Sequence, residues 1–175
     1  MRLPFLLLGI AAVAVPAAAE RMVRPLALAD LVNADGSPAG KARIIPRPNG
    51  VMLEVEVRGM KPGPHALHLH AVGKCQRSDD FTSAGGHLNP EGHEHGNLNP
   101  KGSHLGDLPN VTAGSDGKIT AGIRTPMRPF KLMQQIFDDD GTAIVVHEDA
   151  DDYRTDPTGN AGKRMVCGVF YRPGT

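Results

Sequence analysis

Apolar and polar residues alternate in short runs along most of the chain, and such runs are typical of strands. The clearest is VMLEVEV at residues 51–57, where every second residue is apolar, so that one face of the strand should be buried. Comparable runs occupy residues 25–32, 41–47, 65–72, 110–113, 117–124, 142–148 and 165–171. About eight short strands separated by turns predict an all-β fold, an eight-stranded Greek-key barrel or sandwich.

Two segments depart from this pattern. The run PFKLMQQIF, residues 129–137, is the candidate for a helix and is too short to change the fold class. Residues 74–112 have almost no apolar periodicity and are rich in Gly, Asn, Pro and His. A connection of that length in a compact domain is either disordered or functional, and bound metal would hold it in place without a hydrophobic core.

Composition limits the classes of partner. The chain has 175 residues, about one domain, with 19 basic and 19 acidic side chains and a formal net charge of zero. No large net field therefore recruits nucleic acid or a membrane, and a charged substrate must be attracted by local placement of charge.

The first nineteen residues predict a secretory signal peptide. Arg2 is followed by the apolar run 3–15 and by three small residues, Ala17, Ala18 and Ala19. Cleavage after Ala19 would leave residues 20–175 as one domain, periplasmic or secreted and without a membrane span. An uncleaved anchor is the alternative, although the apolar run is short for a bilayer.

Two cysteines, Cys75 and Cys167, remain in this exported chain. An oxidising compartment favours a disulfide between them, and the alternative is that they bind metal. The disulfide would close a loop of 92 residues, since 167 − 75 = 92.

Histidines are concentrated in one stretch, residues 65–107. Seven of the eight histidines lie there: His65, His68, His70, His87, His93, His95 and His104. The eighth, His147, stands in the apolar run AIVVHE. This crowding indicates a metal site.

Spacing divides these histidines. Side chains alternate along a strand, so His68 and His70 share a face, from which they can bind one ion, while His65 points to the other. In the long loop, His87, His95, His104 and Asp107 supply three nitrogens and one oxygen, a closed tetrahedral set suited to zinc. His93 is either a solvated loop histidine or a replacement for His95 in that set.

A second ion is needed to explain His68 and His70, because two imidazoles leave an ion undercoordinated. His147 is the remaining candidate, and a site built mainly of imidazoles suits copper. Taken alone, His147 would more often be a core histidine with a hydrogen-bond partner.

Several motifs together resemble the copper/zinc superoxide dismutase family, in its bacterial exported branch, over residues 25–171. They are GPHALHLH (63–70), TSAGGHLNP (82–90), HLGDLPNV (104–111), VVHEDADD (145–152) and TGNAGKRMVCGV (158–169). The intervals agree too, with eight residues from His87 to His95, nine to His104 and three to Asp107. Ala66, Leu67 and Leu88 depart from the family pattern, and about six residues are added between Cys75 and His87 relative to eukaryotic members.

The resemblance implies a role for each residue. Copper is expected on His68, His70, His87 and His147, and zinc on His87, His95, His104 and Asp107, so that His87 bridges the metals. The register selects His95 over His93. The resemblance further implies that Asp151 links a copper histidine to a zinc histidine, that Arg164 attracts the anion, and that Cys75–Cys167 braces the loop.

The expected function is therefore dismutation of superoxide to oxygen and hydrogen peroxide. A non-catalytic copper carrier on the same fold is the main alternative, and such domains commonly lack part of the copper set or the arginine. A zinc hydrolase would need an open zinc position, which the closed set does not provide. The pattern does not choose between a monomer and a homodimer.

Overall fold

The computed structural model describes residues 23–125 and 127–174. The predicted signal peptide, residues 1–19, lies outside these residues. Among the helices in the described ranges, none is long and apolar enough to cross a membrane.

The described part of the chain forms nine strands and one helix. They are β1 (Ala27–Asn33), β2 (Pro38–Arg47), β3 (Gly50–Val57), β4 (Gly63–His65), β5 (Leu67–His70), β6 (Val111–Ala113), β7 (Ile119–Thr125), α1 (Pro129–Ile136), β8 (Ala143–His147) and β9 (Arg164–Val169). Each element overlaps a run that alternation or length predicts, although β2 begins three residues earlier and β4 shares only His65 with its run. The long loop between β5 and β6 contains two short 3₁₀ turns, Arg77–Asp79 and Thr82–Ala84.

The strands are antiparallel and form one curled sheet with a small second pair. The seven-stranded sheet has the order β5-β8-β9-β1-β2-β3-β7, and β4 pairs with β6. Strands distant in sequence therefore become neighbours, as β9 does with β1 and β8 with β5. The predicted all-β, Greek-key class is confirmed.

The predicted strand at residues 65–72 divides into β4 and β5, which accounts for the ninth strand. The break is at Ala66, which is fully buried. Its N–H donates to the carbonyl of Asp149 at 2.8 Å, and its carbonyl accepts from the N–H of His147 at 2.9 Å. The chain thereby leaves β6 and pairs with β8, so that β5 brings His68 and His70 beside the strand that ends at His147.

Two apolar clusters position the loops. The main core consists of inward side chains of the sheet together with Leu132 and Ile136 of α1. A smaller cluster places Phe81 and Ala84 of the long loop against β8 and Cys167 of β9. Phe81 is fully buried, so this part of the loop has a hydrophobic attachment that the sequence pattern did not predict.

Candidate metal centre

One group of four histidines converges from two strands and the long loop. Its members are His68, His70, His87 and His147, and they present nitrogen atoms that all lie within 4.8 Å of one another. All four residues are buried. The rigid pairing of β5 with β8 holds three of them, and only His87 comes from irregular backbone.

The chemistry of this group fits a metal ion. Within the described part of the chain, four buried nitrogens of the group have no hydrogen-bond partner: Nδ1 of His68 and Nε2 of His70, His87 and His147. A buried polar atom without a partner is costly, and four of them facing one another would be difficult to explain in a structural core. Coordination of a copper ion by all four would satisfy them.

A second group surrounds one carboxylate oxygen. The Nδ1 atoms of His87, His95 and His104 lie 2.9, 3.0 and 3.1 Å from Oδ1 of Asp107. Tetrahedral zinc with bonds of about 2.0–2.1 Å would separate its ligand atoms by roughly 3.3 Å. The observed spacing is close to that value, so the group fits zinc.

His87 belongs to both groups through different nitrogens. Its Nδ1 faces Asp107 at 2.9 Å, while its Nε2 is one of the four unpaired atoms of the first group. The two groups therefore meet on the two sides of one imidazole ring, as the predicted bridge requires.

Asp151 joins the groups a second time. Its Oδ2 lies 2.7 Å from Nε2 of His68, and its Oδ1 lies 2.9 Å from Nε2 of His95. Because the carboxylate occupies these nitrogens, it leaves Nδ1 of His68 and Nδ1 of His95 to face their groups. A carboxylate placed behind a ligating histidine fixes its tautomer and ring orientation.

The position of Asp151 depends on Asn110, which the sequence did not single out. The Asn110 amide donates to the carbonyl of Asp151 at 2.9 Å, and its Oδ1 accepts from the N–H of Asp151 at 2.8 Å. The Tyr153 N–H also donates to the Asp151 carboxylate, at 2.6 Å. Asn110 ends the long loop just before β6, so it ties that loop to the segment carrying Asp151.

Gly159 allows the close approach of this segment. Its φ is +65°, and a Cβ there would lie 2.0 Å from Oδ1 of Asp151 and 2.6 Å from Nε2 of His95. Any side chain would therefore displace the contact between these two residues.

Arg164 is held by backbone carbonyls of the long loop. Its guanidinium donates to the carbonyl of Phe81 and to that of Gly85, both at 2.7 Å. The same Gly85 carbonyl lies 2.9 Å from Nδ1 of His70. Arg164 is therefore fixed next to the histidine group and remains partly exposed.

The predicted disulfide between Cys75 and Cys167 is confirmed, with an S–S distance of 2.02 Å. Cys167 is fully buried on β9, three residues after Arg164. The bond therefore attaches the loop that carries Phe81 and Gly85 to the strand that carries Arg164.

Burial and hydrogen bonding give the two groups different protonation. Burial lowers the pKa of His87 to about 4 and that of His147 to about 3, and it lowers the pKa of His70 well below its usual value. Burial opposes charge on His95 as well, but bonds to Asp107 and Asp151 raise its pKa to about 9. His70, His87 and His147 are therefore neutral and ready to bind metal, whereas zinc must displace a proton from His95.

The two histidines left outside both sets take structural positions. The ring nitrogens of buried His65 lie 2.8 Å from the carbonyl of His147 and 2.7 Å from that of Lys61. His93 is exposed and lies 3.0 Å from the carbonyl of Ser103. Among the described residues, the groups with metal-binding spacing include neither histidine.

Comparison with known proteins identifies the family. Residues 38–170 match the family model described as copper/zinc superoxide dismutase, about three quarters of the chain. The chain belongs to the copper/zinc superoxide dismutase family. The metals in the family's description, copper and zinc, are thus the same metals that the two groups fit.

Relatives in this family come from several bacteria. The chain is 41% identical to "Superoxide dismutase [Cu-Zn] 2" of Aquifex aeolicus over 145 residues, 81% of this chain and 84% of the relative. It is 41% identical to "Superoxide dismutase [Cu-Zn]" of Caulobacter vibrioides over 78% of this chain and 80% of that one. Among solved structures, a SOD-like protein from Bacillus subtilis superposes with a TM-score of 0.75 at 40% identity, covering 81% of this chain and 96% of that chain.

Proposed function

We propose that this member of the superoxide dismutase family binds copper through His68, His70, His87 and His147 and zinc through His87, His95, His104 and Asp107. The observation that carries the proposal is the convergence of four unpaired buried nitrogens beside a closed set of three nitrogens and one oxygen. The groups share His87. Both sets and Arg164 are complete, which favours the enzyme over a non-catalytic copper carrier.

Copper bound in the first group would supply one-electron chemistry, oxidising one superoxide to oxygen and reducing a second, with two protons, to hydrogen peroxide. The chain supplies orientation and protons. His87 is held at Nδ1 within the zinc group, and its Nε2, whenever it is not bound to copper, is the nitrogen that can hold a proton and pass it to the forming peroxide.

Arg164 supplies positive charge at the entrance to the copper group. Two carbonyls hold its guanidinium in place without neutralising it. A fixed cation beside a low-dielectric site raises the local concentration of an anion and its rate of encounter, and salt weakens this effect. Exposed Lys163 precedes Arg164 and adds a second positive charge at the same rim.

We further propose that residues 1–19 direct export and that residues 20–175 form the mature enzyme, periplasmic or secreted. The charged, apolar and small-residue sections of the N-terminus support this proposal. The disulfide supports it as well, because such a bond persists in an oxidising compartment.

Metal analysis combined with a dismutase assay tests the function. Protein purified without metals and then given copper and zinc should hold one of each per chain, show a visible copper band and remove superoxide at a rate close to diffusion control. His93→Gln should match the unmodified protein, because His93 lies outside both groups. Full loading of both metals without superoxide removal would instead identify a copper carrier.

A further inference from the structure

A basic surface lies at one end of the sheet, away from the metal centre. Arg47 ends β2 and Arg124 lies near the end of β7, and both line a groove against the turn at Pro48 and Asn49. Arg128 and Phe130, at the start of α1, line a second groove against the same turn. With Lys131 of α1, these residues form what we call the basic end: Arg47, Arg124, Arg128, Phe130 and Lys131.

The cations of the basic end are largely uncompensated. Among the residues that the structure describes, Arg124, Arg128 and Lys131 have no carboxylate within ion-pair distance, and all three are exposed. Arg47 lies 3.7 Å from Glu54, but Glu54 is closer to Arg43, at 2.8 Å. A chain with zero net charge therefore carries a local excess of positive charge here.

An exposed aromatic ring lies among these cations. Helix α1 buries Leu132 and Ile136 against the core, and this directs Phe130 outward, where 74% of it is exposed. Phe130 is the most exposed large apolar residue in the described part of the chain. An apolar side chain projecting from a ring of Lys and Arg suits the boundary between lipid head groups and acyl chains.

The opposite end of the sheet provides a contrast. Lys41, Arg58 and Lys118 line a groove there together with Glu56. Lys118 is paired with Asp116 at 2.7 Å, and that groove has no aromatic residue. Three cations alone therefore do not reproduce the combination of free charge and exposed ring found at the basic end.

The location leaves the copper entrance open. Arg164, which is fixed next to the copper group, lies near the β1–β2 turn, since Ala34 and Arg164 line one groove. The basic end lies beyond the other end of β2, whose ten residues span roughly 30 Å at 3.3 Å per residue. The acidic residues 138–140 follow the far end of α1, about 12 Å from Arg128 at 1.5 Å per helical residue.

We propose that the basic end docks this protein on an anionic phospholipid surface, with Phe130 inserted at the head-group level. Charge complementarity supports the lipid surface, and Phe130 favours it over a soluble polyanion, which would gain little from an exposed phenyl ring. The docked protein would present its copper entrance away from the membrane.

Vesicle sedimentation tests the proposal with the exported, metal-loaded protein. We expect binding to vesicles containing phosphatidylglycerol, weaker binding at higher salt, and little binding to phosphatidylcholine alone. Each Lys or Arg near an anionic surface contributes about fivefold, so R124Q/R128Q/K131Q should weaken binding by roughly a hundredfold. The matched variant K41Q/R58Q/K118Q removes three charges from the opposite end and should weaken it by less than about fivefold, through the smaller net charge alone.

Insertion of the ring has its own probe, because the chain contains no tryptophan. In Phe130→Trp the single indole should shift its emission to shorter wavelength on phosphatidylglycerol vesicles, and Phe130→Ser should bind more weakly than the unmodified protein. Dismutase activity should be the same in all these variants, which confirms that they fold.

Three results would overturn the proposal. One is the absence of binding to phosphatidylglycerol vesicles at low salt. Another is an equal loss of binding in the two triple variants, which would indicate net charge instead of this surface. The third is an unshifted indole together with tighter binding to a soluble sulfated polysaccharide than to vesicles, which would indicate a polyanion as the occupant.

Discussion

The copper and zinc groups share one histidine, yet they are built in opposite ways. The copper group takes three of its members from β5 and β8, and its four inward nitrogens have no partner among the described residues. The zinc group lies wholly in the long loop, and its three inward nitrogens already contact Asp107. One site is rigid and unsatisfied, while the other is irregular and satisfied by its own carboxylate.

The difference indicates how each site is kept ready for metal. Strand pairing fixes three of the copper histidines, and burial keeps His70, His87 and His147 neutral, so the protein itself bears the cost of the unpaired nitrogens. In the zinc group, hydrogen bonds to Asp107 can hold the loop together before zinc binds. We therefore expect the two sites to respond differently to mutation, to reduction and to acid.

Removal of His87, which the two groups share, should have the largest effect, because it should impair both metal sites alike. His87→Ala removes a nitrogen from each group, so neither set remains complete, and we expect loss of both metals and of nearly all superoxide removal. Elemental analysis of the purified variant measures this outcome. Full copper and zinc content in His87→Ala would contradict the bridging role.

Loss of the disulfide should affect stability, mainly on the copper side. C75S/C167S opens a loop of 92 residues, and the chain-entropy model predicts a loss of about 4–5 kcal/mol in the free energy of unfolding. The loop that holds Arg164 should also become more mobile, while the zinc loop keeps its own contacts. Denaturant unfolding of the metal-loaded protein checks the first expectation, and an unchanged midpoint would show that the bond contributes nothing.

Asp151 tests whether the groups are coupled through their outer nitrogens. Asp151→Asn keeps the shape but cannot accept from both His68 and His95, and loss of such a carboxylate typically costs 10–100-fold in metal affinity. We expect both metals to bind more weakly, with a changed copper electron paramagnetic resonance spectrum. Asp152→Asn is the matched control, because Asp152 is exposed and its carboxylate accepts from Arg154, Thr155 and Asn160, which belong to neither group. Weakening of zinc alone would place Asp151 in a single group.

Acid should distinguish the groups in the metal-free protein. His70, His87 and His147 have lowered pKa values when folded, so unfolding takes up protons and stability falls as the pH drops below about 6.5 toward 4 and 3. His95 acts in the opposite direction. Its pKa of about 9 gives stability that is complete below 6.5 and is lost as the pH rises toward 9.

The net loss between pH 7 and 6 should be on the order of 1 kcal/mol, since His95 offsets one of the three lowered histidines. Thermal unfolding across this range measures it. The metal-loaded protein is the control, because bound ligands cannot take up protons. A metal-free protein that gains stability from pH 7 to 6 would contradict the assignment of neutral copper histidines.

Arg164 should give the smallest change, confined to the copper side. In Arg164→Ala we expect about a tenfold slower reaction with superoxide and a flatter dependence on salt, because the fixed charge at the entrance is lost. Copper and zinc content should be unchanged. Arg58→Ala, at an exposed position, is the control for loss of one positive charge. If the rate of Arg164→Ala depended on salt as that of the unmodified protein does, Arg164 would not be the residue that attracts the anion.

Most of the fold was predictable because strands with one buried face show alternating apolar and polar residues in the sequence. Strand β3 buries every second side chain in the core, as the spacing indicates: Val51, Leu53, Val55 and Val57. The division of residues 65–72 at Ala66 was not predictable, since a change of strand partner depends on Asp149 and His147 and leaves no local pattern. The helix at 129–136 was recovered from nine residues of apolar spacing.

The site was predictable in membership but not in orientation. Intervals and motifs selected the seven candidate metal ligands and Arg164. They could not show that His68 turns Nδ1 inward while His70 turns Nε2, because that choice depends on Asp151 in one case and the Gly85 carbonyl in the other. Asn110 escaped notice because an asparagine beside a strand is usually part of a turn, and its contact with Asp151 spans 41 residues.

The carbonyl of Gly85 also affects how much sequence change the long loop tolerates. It contacts both Nδ1 of His70 and the guanidinium of Arg164, so a shift of the loop moves the supports of both residues in the same direction. A shift of the loop therefore changes the distance between His70 and Arg164 only slightly. The stretch between Cys75 and Phe81 can therefore vary in length and composition while that separation is preserved.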